Sequence, residues 1–415
     1  MEALRIFGGK PLYGTVQIHG AKNSVLPILA ATVAVGGQCT IASCPNILDV
    51  QTAIEILQTL GCTVTAAQGE ITVDARHLQT SRIDDLLMKR MRSSVLFLGA
   101  LLARTGTCTF TAPGGCVLGA RPINFHLNAM QQMGAQVEQR GETIVCRADA
   151  LHGATICLPM PSVGATENVL LAAMGTQEPV TLCNAAMEPE IVDLANFLQT
   201  AGAQIIGAGT QMIQIRGAKL HGCRYTVLPD RIEAATYLAM TACAGGDVCL
   251  RNCTAAHLQP VLELYQNAGC QISAHDAQIQ IAGSAQRAVS PIKTAPYPGF
   301  PTDVQALVMA SMATARGISV FMETVFSDRY RHVPALRQMG AEIQVGKQVA
   351  VVRGVEQLHG ATVDATDLRG GAAMVAAALG AKGMTEIYHV EHIARGYDSL
   401  TENLQQLGAE IQILT

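Results

Sequence analysis

Two kinds of helical pattern alternate along the chain. The first is apolar on every face and rich in alanine; residues 24–35, 94–103, 169–174, 234–244, 305–315 and 372–379 carry it and are expected to form buried helices. The second is amphipathic and closes on a recurring phrase: LQTLGCTV, MQQMGAQV, LQTAGAQI, YQNAGCQI, LRQMGAEI and LQQLGAEI. Each phrase reads as a helix stopped by a glycine in left-handed backbone, after which a small and a β-branched residue open a strand. The glycines Gly61, Gly134, Gly202, Gly269, Gly340 and Gly408 recur at spacings of 73, 68, 67, 71 and 68 residues, so one unit fills the whole chain six times.

Alternating stretches follow the glycine: GEITVDA, GETIVCRA, TQMIQIRG, AQIQIAG and KQVAVVRG have the period of half-buried strands. A further strand is introduced by LYGTVQIHG, LHGATICLP, LHGCRYTVL or LHGATVDAT. The unit thus holds two helices and three or four strands, an α/β arrangement. Alone it cannot cover its sheet, so several units must share a core, and six divide into two groups of three.

Composition narrows the class. With 49% hydrophobic and 14% charged residues among 415, the chain is a dense globular protein, and 8 Phe, 8 Tyr and no Trp leave its cores to aliphatic side chains. The formal charge of -4 provides no diffuse basic field for nucleic acid or anionic lipid, so an anion must meet locally placed cations. Thirteen cysteines, an odd number without a CxxC pair, speak for a reducing compartment and against a disulfide framework. The start MEALRIFGGKPLYG has no apolar signal core and no apolar run is long enough to span a bilayer, so a soluble cytoplasmic protein is expected.

Chemistry collects where the third strand of a unit meets the next buried helix: Lys22 with Asn23, Arg92, Ser162, Asp230 with Arg231, Asp303, and Arg369 after Asp367. Ser162, Asp230 and Asp303 suit ordinary N-caps. Lys22, Arg92, Arg231 and Arg369 do not, because a cation at a helix N-terminus opposes the dipole; six such junctions converging on one cleft would bind an anion. A glycine loop, TAPGGCVLGARP at 111–122, has the flexibility of a lid and sets Cys116 near Arg121, whose charge favours the thiolate. No GxxxxGK[ST] or GxGxxG is present, which excludes a P-loop or Rossmann reading. His389 and His392 in YHVEH read as surface or satisfied histidines rather than metal ligands, and Cys249 and Cys253 in CLRNC as packing residues.

The ordered set GAKN at 20–23, PGGCVLGARP at 113–122, SVGAT at 162–166, EPEIVD at 188–193, LPDRIE at 228–233, FPTD at 300–303, TDLR at 366–369 and RGY at 395–397 resembles the enolpyruvyl transferases over almost the full chain. The resemblance implies a two-domain inside-out α/β barrel of six βαβαββ repeats, three per domain. Domain I would span 22–229 with the cysteine loop at about 112–122, and domain II 1–21 plus 230–415. It implies transfer of the enolpyruvyl group of phosphoenolpyruvate to the 3-hydroxyl of UDP-N-acetylglucosamine, with release of phosphate, as the first committed step of peptidoglycan synthesis. No metal or organic cofactor is implied, and the partners are these two small molecules, with neither nucleic acid nor membrane.

By the same resemblance Cys116 is the general acid, able to carry a phosphoenolpyruvate adduct, and Asp303 the base at the sugar hydroxyl. Lys22, Asn23, Arg121 and Arg395 would hold the phosphate, and Arg329 and Arg369 the carboxylate region. Asn23, Arg92, Arg121, Pro122, Ile123, Asn124, Phe125, Ser162, Val163, Gly164, Asp303 and Val325 would contact the nucleotide sugar. Departures from the family's pattern are Leu48 and Met160 where lysine is frequent, Asn124 where an acid faces uracil, and Ala394 where aspartate is usual. The rival readings are an enolpyruvyl transferase with another acceptor and a silent UDP-sugar-binding regulator.

Overall fold

The computed structural model describes residues 3–114, 123–283 and 286–414. The described residues from Gly20 to Leu228 form one compact unit, called here the first; those up to His19 and from Pro229 onward form the second. Each has its own hydrophobic core. The Cys116 and Arg121 readings, with Pro122, lie outside the described residues.

Six buried helices organise these cores: α1 (Lys22–Val35), α2 (Phe97–Thr105) and α3 (Val163–Ala172) in the first unit, and α4 (Arg231–Ala244), α5 (Thr302–Met312) and α6 (Leu368–Gly380) in the second. Within each unit the three pack against one another. Their Ala-rich, all-round apolar surfaces permit this, since no face needs to meet water. Closest approach falls at Gly99 of α2, where a Cβ would stand 2.4 Å from the Asn168 carbonyl oxygen of α3. Five of the six also start earlier than their apolar runs, because a polar first turn is part of the helix; α2 starts later, at Phe97, because the 3-10 turn Arg92–Leu96 takes the first residues of its run. Ser162 Oγ accepts from the Ala165 amide at 3.4 Å, Asp230 Oδ1 from Ile232 and Glu233 at 2.8 and 3.0 Å, and Asp367 Oδ1 from Arg369 and Gly370 at 3.0 and 3.1 Å. Asp303 is the correction: it sits inside the first turn of α5, behind Pro301, and its side chain turns to two arginines instead of capping. In α3 the buried polar run Thr166, Glu167, Asn168 hid the start of the helix from a reading based on hydrophobicity.

The amphipathic helices end as their glycines require. Gly61, Gly134, Gly202, Gly269, Gly340 and Gly408 all hold φ between 95° and 113°. Around the helices stand six sheets, five of four strands and one of three among the described residues, three sheets per unit. In the five, an antiparallel trio carries a parallel strand on one edge. Val180–Cys183, for example, pairs antiparallel with Met212–Arg216 and parallel with Thr155–Cys157. The sixth, built from Thr107–Thr111, Thr143–Arg147 and Gln136–Arg140, replaces the parallel strand by a single bridge between Arg82 and Thr109. The N-terminal strand Ala3–Phe7 lies between Met384–Tyr388 and Glu410–Leu414, so the start of the chain completes a sheet of its end. Inward residues such as Ile213 and Ile215 are buried, while Met212, Gln214 and Arg216 between them face out. No helix among the described residues is long and apolar enough to cross a membrane.

Candidate active site

In the first unit Lys22 occupies the first position of α1, and its ammonium meets Asp49 Oδ2 at 2.7 Å; the two side chains are 9% and 5% exposed. A cation at this position is disfavoured by the dipole, and the buried carboxylate of the helix Leu48–Thr59 compensates it. Asn23 is half-buried beside it. Arg92 opens a short 3-10 turn, Arg92–Leu96, that runs into α2.

Arg92 and the Ser162–Gly164 junction are linked by His126, a residue absent from the sequence-based set. His126 lies on the helix Asn124–Gln132, and its Cε1 would stand 3.1 Å from a Cβ on Gly164. Burial pushes its pKa down to about 4, with the Arg92 charge adding to the shift, so the ring is neutral. Its neighbour fixes the tautomer. Asn168 Oδ1 accepts from the Gly99 amide at 2.7 Å and Nδ2 donates to the Val95 carbonyl at 3.0 Å, so the second Nδ2 proton goes to His126 Nδ1 at 2.7 Å. Nδ1 is therefore the acceptor and Nε2 bears the hydrogen. Only the spacing of His126 from Asn124 and Phe125 within one helical turn hinted at this. Asn124 is exposed, whereas Ile123, Phe125, Ser162, Val163 and Gly164 are half-buried. Acidic residues gather deeper in the unit: burial, then Glu190 and Glu188, drives the Glu167 carboxyl well above the usual range.

The second unit assembles a tighter constellation. Asp303 Oδ1 accepts from Arg329 Nη2 at 2.8 Å, and Oδ2 accepts from Arg369 Nε and Nη2 at 3.2 and 3.1 Å. Both arginines are anchored independently. Arg329 also donates through Nε and Nη2 to the Thr302 carbonyl at 3.2 and 3.0 Å. Arg369 Nη1 donates to the Tyr397 hydroxyl at 3.0 Å, which in turn pairs with Thr236 Oγ1 of α4 at 2.9 Å. Burial opposes the Arg369 charge, but Tyr397, Asp303 and Asp230 outweigh it and hold its pKa above the ordinary value. The guanidiniums are 2% and 4% exposed, the Asp303 carboxylate 30%. Arg395 is half-buried after the short helix Glu391–Ala394, and half-buried Val325 donates its amide to Glu323 Oε1 at 2.8 Å. Of the departures, Leu48 and Met160 are exposed, at 39% and 43%, and Ala394 is exposed as well. His389 contacts carboxylates, Glu391 at 3.4 Å and Asp364 at 3.8 Å.

The fold has close neighbours among solved enolpyruvyl transferases. The enolpyruvyl transferase NikO from Streptomyces tendae matches with a TM-score of 0.90 at 26% identity over 100% of this chain and 99% of that one. EPSP synthase from Acinetobacter baumannii matches in fold, with a TM-score of 0.77 at 19% identity over the full length of both. Residues 6–404 match the model of the EPSP synthase (3-phosphoshikimate 1-carboxyvinyltransferase) family. Two relatives named UDP-N-acetylglucosamine 1-carboxyvinyltransferase, one from Finegoldia magna and the other, numbered 2, from Caldanaerobacter subterraneus subsp. tengcongensis, are 42% and 45% identical, each covering 99% of both chains. The chain belongs to the EPSP synthase family, a family of enolpyruvyl transferases.

Proposed function

We propose that the chain transfers the enolpyruvyl group of phosphoenolpyruvate to the 3-hydroxyl of UDP-N-acetylglucosamine and releases phosphate, the first committed step of peptidoglycan synthesis. One observation carries the reading. In a chain whose full-length relatives bear that activity in their name, a half-exposed Asp303 bridges two buried, separately anchored arginines. A carboxylate so placed can leave its ion pairs to take a proton from an alcohol, while Arg329 and Arg369 stay fixed to receive the carboxylate of phosphoenolpyruvate in bidentate geometry.

In the first step the sugar oxygen adds to C2, its proton passes to Asp303, and Cys116 delivers a proton to C3. In the second a proton leaves C3 and phosphate departs from C2, with Lys22, Asn23, Arg121 and Arg395 holding its charge. Arg92, the 121–125 segment, Ser162 to Gly164 and Val325 contact the nucleotide sugar. The half-buried N-terminus of α3 supports this assignment, since the positive end of a helix dipole suits a diphosphate. The six-repeat, two-domain barrel with domain I at 22–229 belongs to the same reading and is supported by the three sheets and three packed helices of each unit. So does a cytoplasmic site of action on these two small molecules.

A second acceptor is favoured by one observation. The exposed Leu48 and Met160 and the amide of Asn124 replace charges that the family's pattern offers a nucleotide sugar. Phosphate release from phosphoenolpyruvate, measured with UDP-N-acetylglucosamine and with other alcohols for wild type and Cys116→Ser, tests both. Release dependent on UDP-N-acetylglucosamine and lost in Cys116→Ser upholds the proposal; release only with a different alcohol replaces it.

A further inference from the structure

We propose that Cys157 and Cys183 form an oxidisable surface dithiol, a modification site at which small disulfides of the glutathione class drive closure to an intrachain disulfide. The two residues stand opposite each other in the parallel pairing of Thr155–Cys157 with Val180–Cys183, one step beyond the partners Ile156 and Leu182. Ile156 and Leu182 are buried, so strand alternation turns both cysteines outward; Cys157 is exposed and Cys183 half-buried. Neighbouring strands run about 4.8 Å apart, inside the Cα separation that a disulfide spans.

The pairing continues past the cysteines. Leu158 donates its amide to the Cys183 carbonyl at 3.1 Å, and Asn184 Nδ2 donates to the Leu158 carbonyl at 2.9 Å, which holds the strand ends in register. The neighbouring Cys157 thiol, with burial adding to its effect, raises the Cys183 thiol above its ordinary value. Other juxtaposed cysteines differ in access. Cys108 and Cys146 face each other across antiparallel strands but are both buried, and Cys39, next to Cys223, is buried. Cys157 precedes Ser162 by five residues, so the bond would tie together the strand ends that lead into α3 and toward Glu188.

The chemistry balances within the pair and the named oxidant. The Cys157 thiolate attacks one sulfur of the small disulfide, its S–S bond breaks, and one thiol leaves with a proton. The Cys183 thiolate then displaces the second thiol from the mixed disulfide on Cys157. Two protein thiols thereby lose two electrons and two protons, and the small disulfide gains them.

The test equilibrates the full chain with mixtures of reduced and oxidised glutathione and traps remaining thiols with N-ethylmaleimide. Cleavage after Arg147, Glu167 and Glu190 places Cys157 in fragment 148–167 and Cys183 in fragment 168–190, each as its only cysteine. Mass spectrometry is expected to show the two fragments linked, rising from trace to the major form over roughly a hundredfold change in the thiol–disulfide ratio. Cys157→Ser and Cys183→Ser should each yield only a mixed disulfide on the surviving thiol. A wild type that accumulates the mixed disulfide at Cys157 without linked fragments, or whose two thiols are fully trapped at every ratio, overturns the proposal.

Discussion

The first unit pairs Lys22 with Asp49, both almost wholly buried. The second divides the Asp303 carboxylate between Arg329 and Arg369 and leaves that carboxylate the most exposed member of its cluster. The contrast separates two uses of an acid. Asp49 is sealed against substrate and compensates a charge that the helix dipole and burial both oppose. Asp303 can be reached, and its partners do not depend on it for their position, because Arg329 is held by the Thr302 carbonyl and Arg369 by Tyr397.

The largest expected effect comes from Asp303→Asn. If the carboxylate is the base, kcat should fall by about 10²–10⁴, with a smaller loss of stability than in Asp49→Asn, because Asp303 is part-exposed and both arginines keep their second anchors. A variant that turns over normally, or that unfolds, erases the distinction drawn between the two carboxylates. Next comes Arg369→Lys. A lysine cannot bind Asp303 or a substrate carboxylate through two parallel hydrogen bonds and also reach Tyr397, so kcat/KM for phosphoenolpyruvate should drop about 10–100-fold. The loss should appear mainly in the KM for that substrate, and an unchanged KM would move Arg369 out of the substrate's reach.

Asp49→Asn addresses the other side of the comparison. Removing the negative charge of a buried ion pair takes away the compensation of the ammonium, so the expected result is a loss of about 3 kcal/mol in urea denaturation. Lys22→Met combined with Asp49→Leu should be less destabilising than Asp49→Asn alone, since neither charge of the pair is then left in the interior. Equal losses in the two variants would mean that packing, and not charge, holds Lys22 in place.

Much of this is legible in the sequence alone. The six glycines and the alternating strands follow from local rules and were found where the pattern put them, because a left-handed turn or a pleat leaves its mark within a few residues; the Ala-rich helices were found with shifted starts. Lys22, Arg92, Arg231 and Arg369 could be singled out as cations at odds with helix starts, and Asp303 only as a cap. Their partners could not: Asp49 lies 27 residues from Lys22 and Arg369 66 residues from Asp303, and no local pattern encodes which distant side chain answers a buried charge. The capping role expected of Asp303 failed for the same reason, since the competing arginines come from elsewhere in the chain. His126 was invisible because a histidine beside a phenylalanine looks like any helix residue until Asn168 and Gly99 are seen against it. Cysteines scattered in sequence proved to be neighbours across a parallel strand pair, a register that depends on the whole fold.

The smallest effect tests whether the two units share one electrostatic habit despite their different ion pairs. Burial holds His126 in the first unit and His332 in the second at a pKa of about 4, with Arg92 reinforcing the shift for His126, and Arg329 reinforcing while Asp367 opposes it for His332. An unfolded histidine titrates near 6.5. Between these values the unfolded chain binds a proton that the folded chain refuses, so each histidine contributes stability that is full above pH 6.5 and drains away as the pH falls toward 4. Raised carboxyls such as Glu167 act in the opposite sense, so the quantity to follow is the difference between wild type and a variant in which they are unchanged. His126→Gln keeps an acceptor for Asn168 and removes the titration. Relative to it, the wild type should lose roughly 2 kcal/mol between pH 7 and pH 4, read from urea midpoints, and His332→Gln should behave alike. Parallel curves for His126→Gln and wild type would mean that His126 is protonated in the folded state, which the Arg92 charge beside it and the closed Asn168 network both oppose.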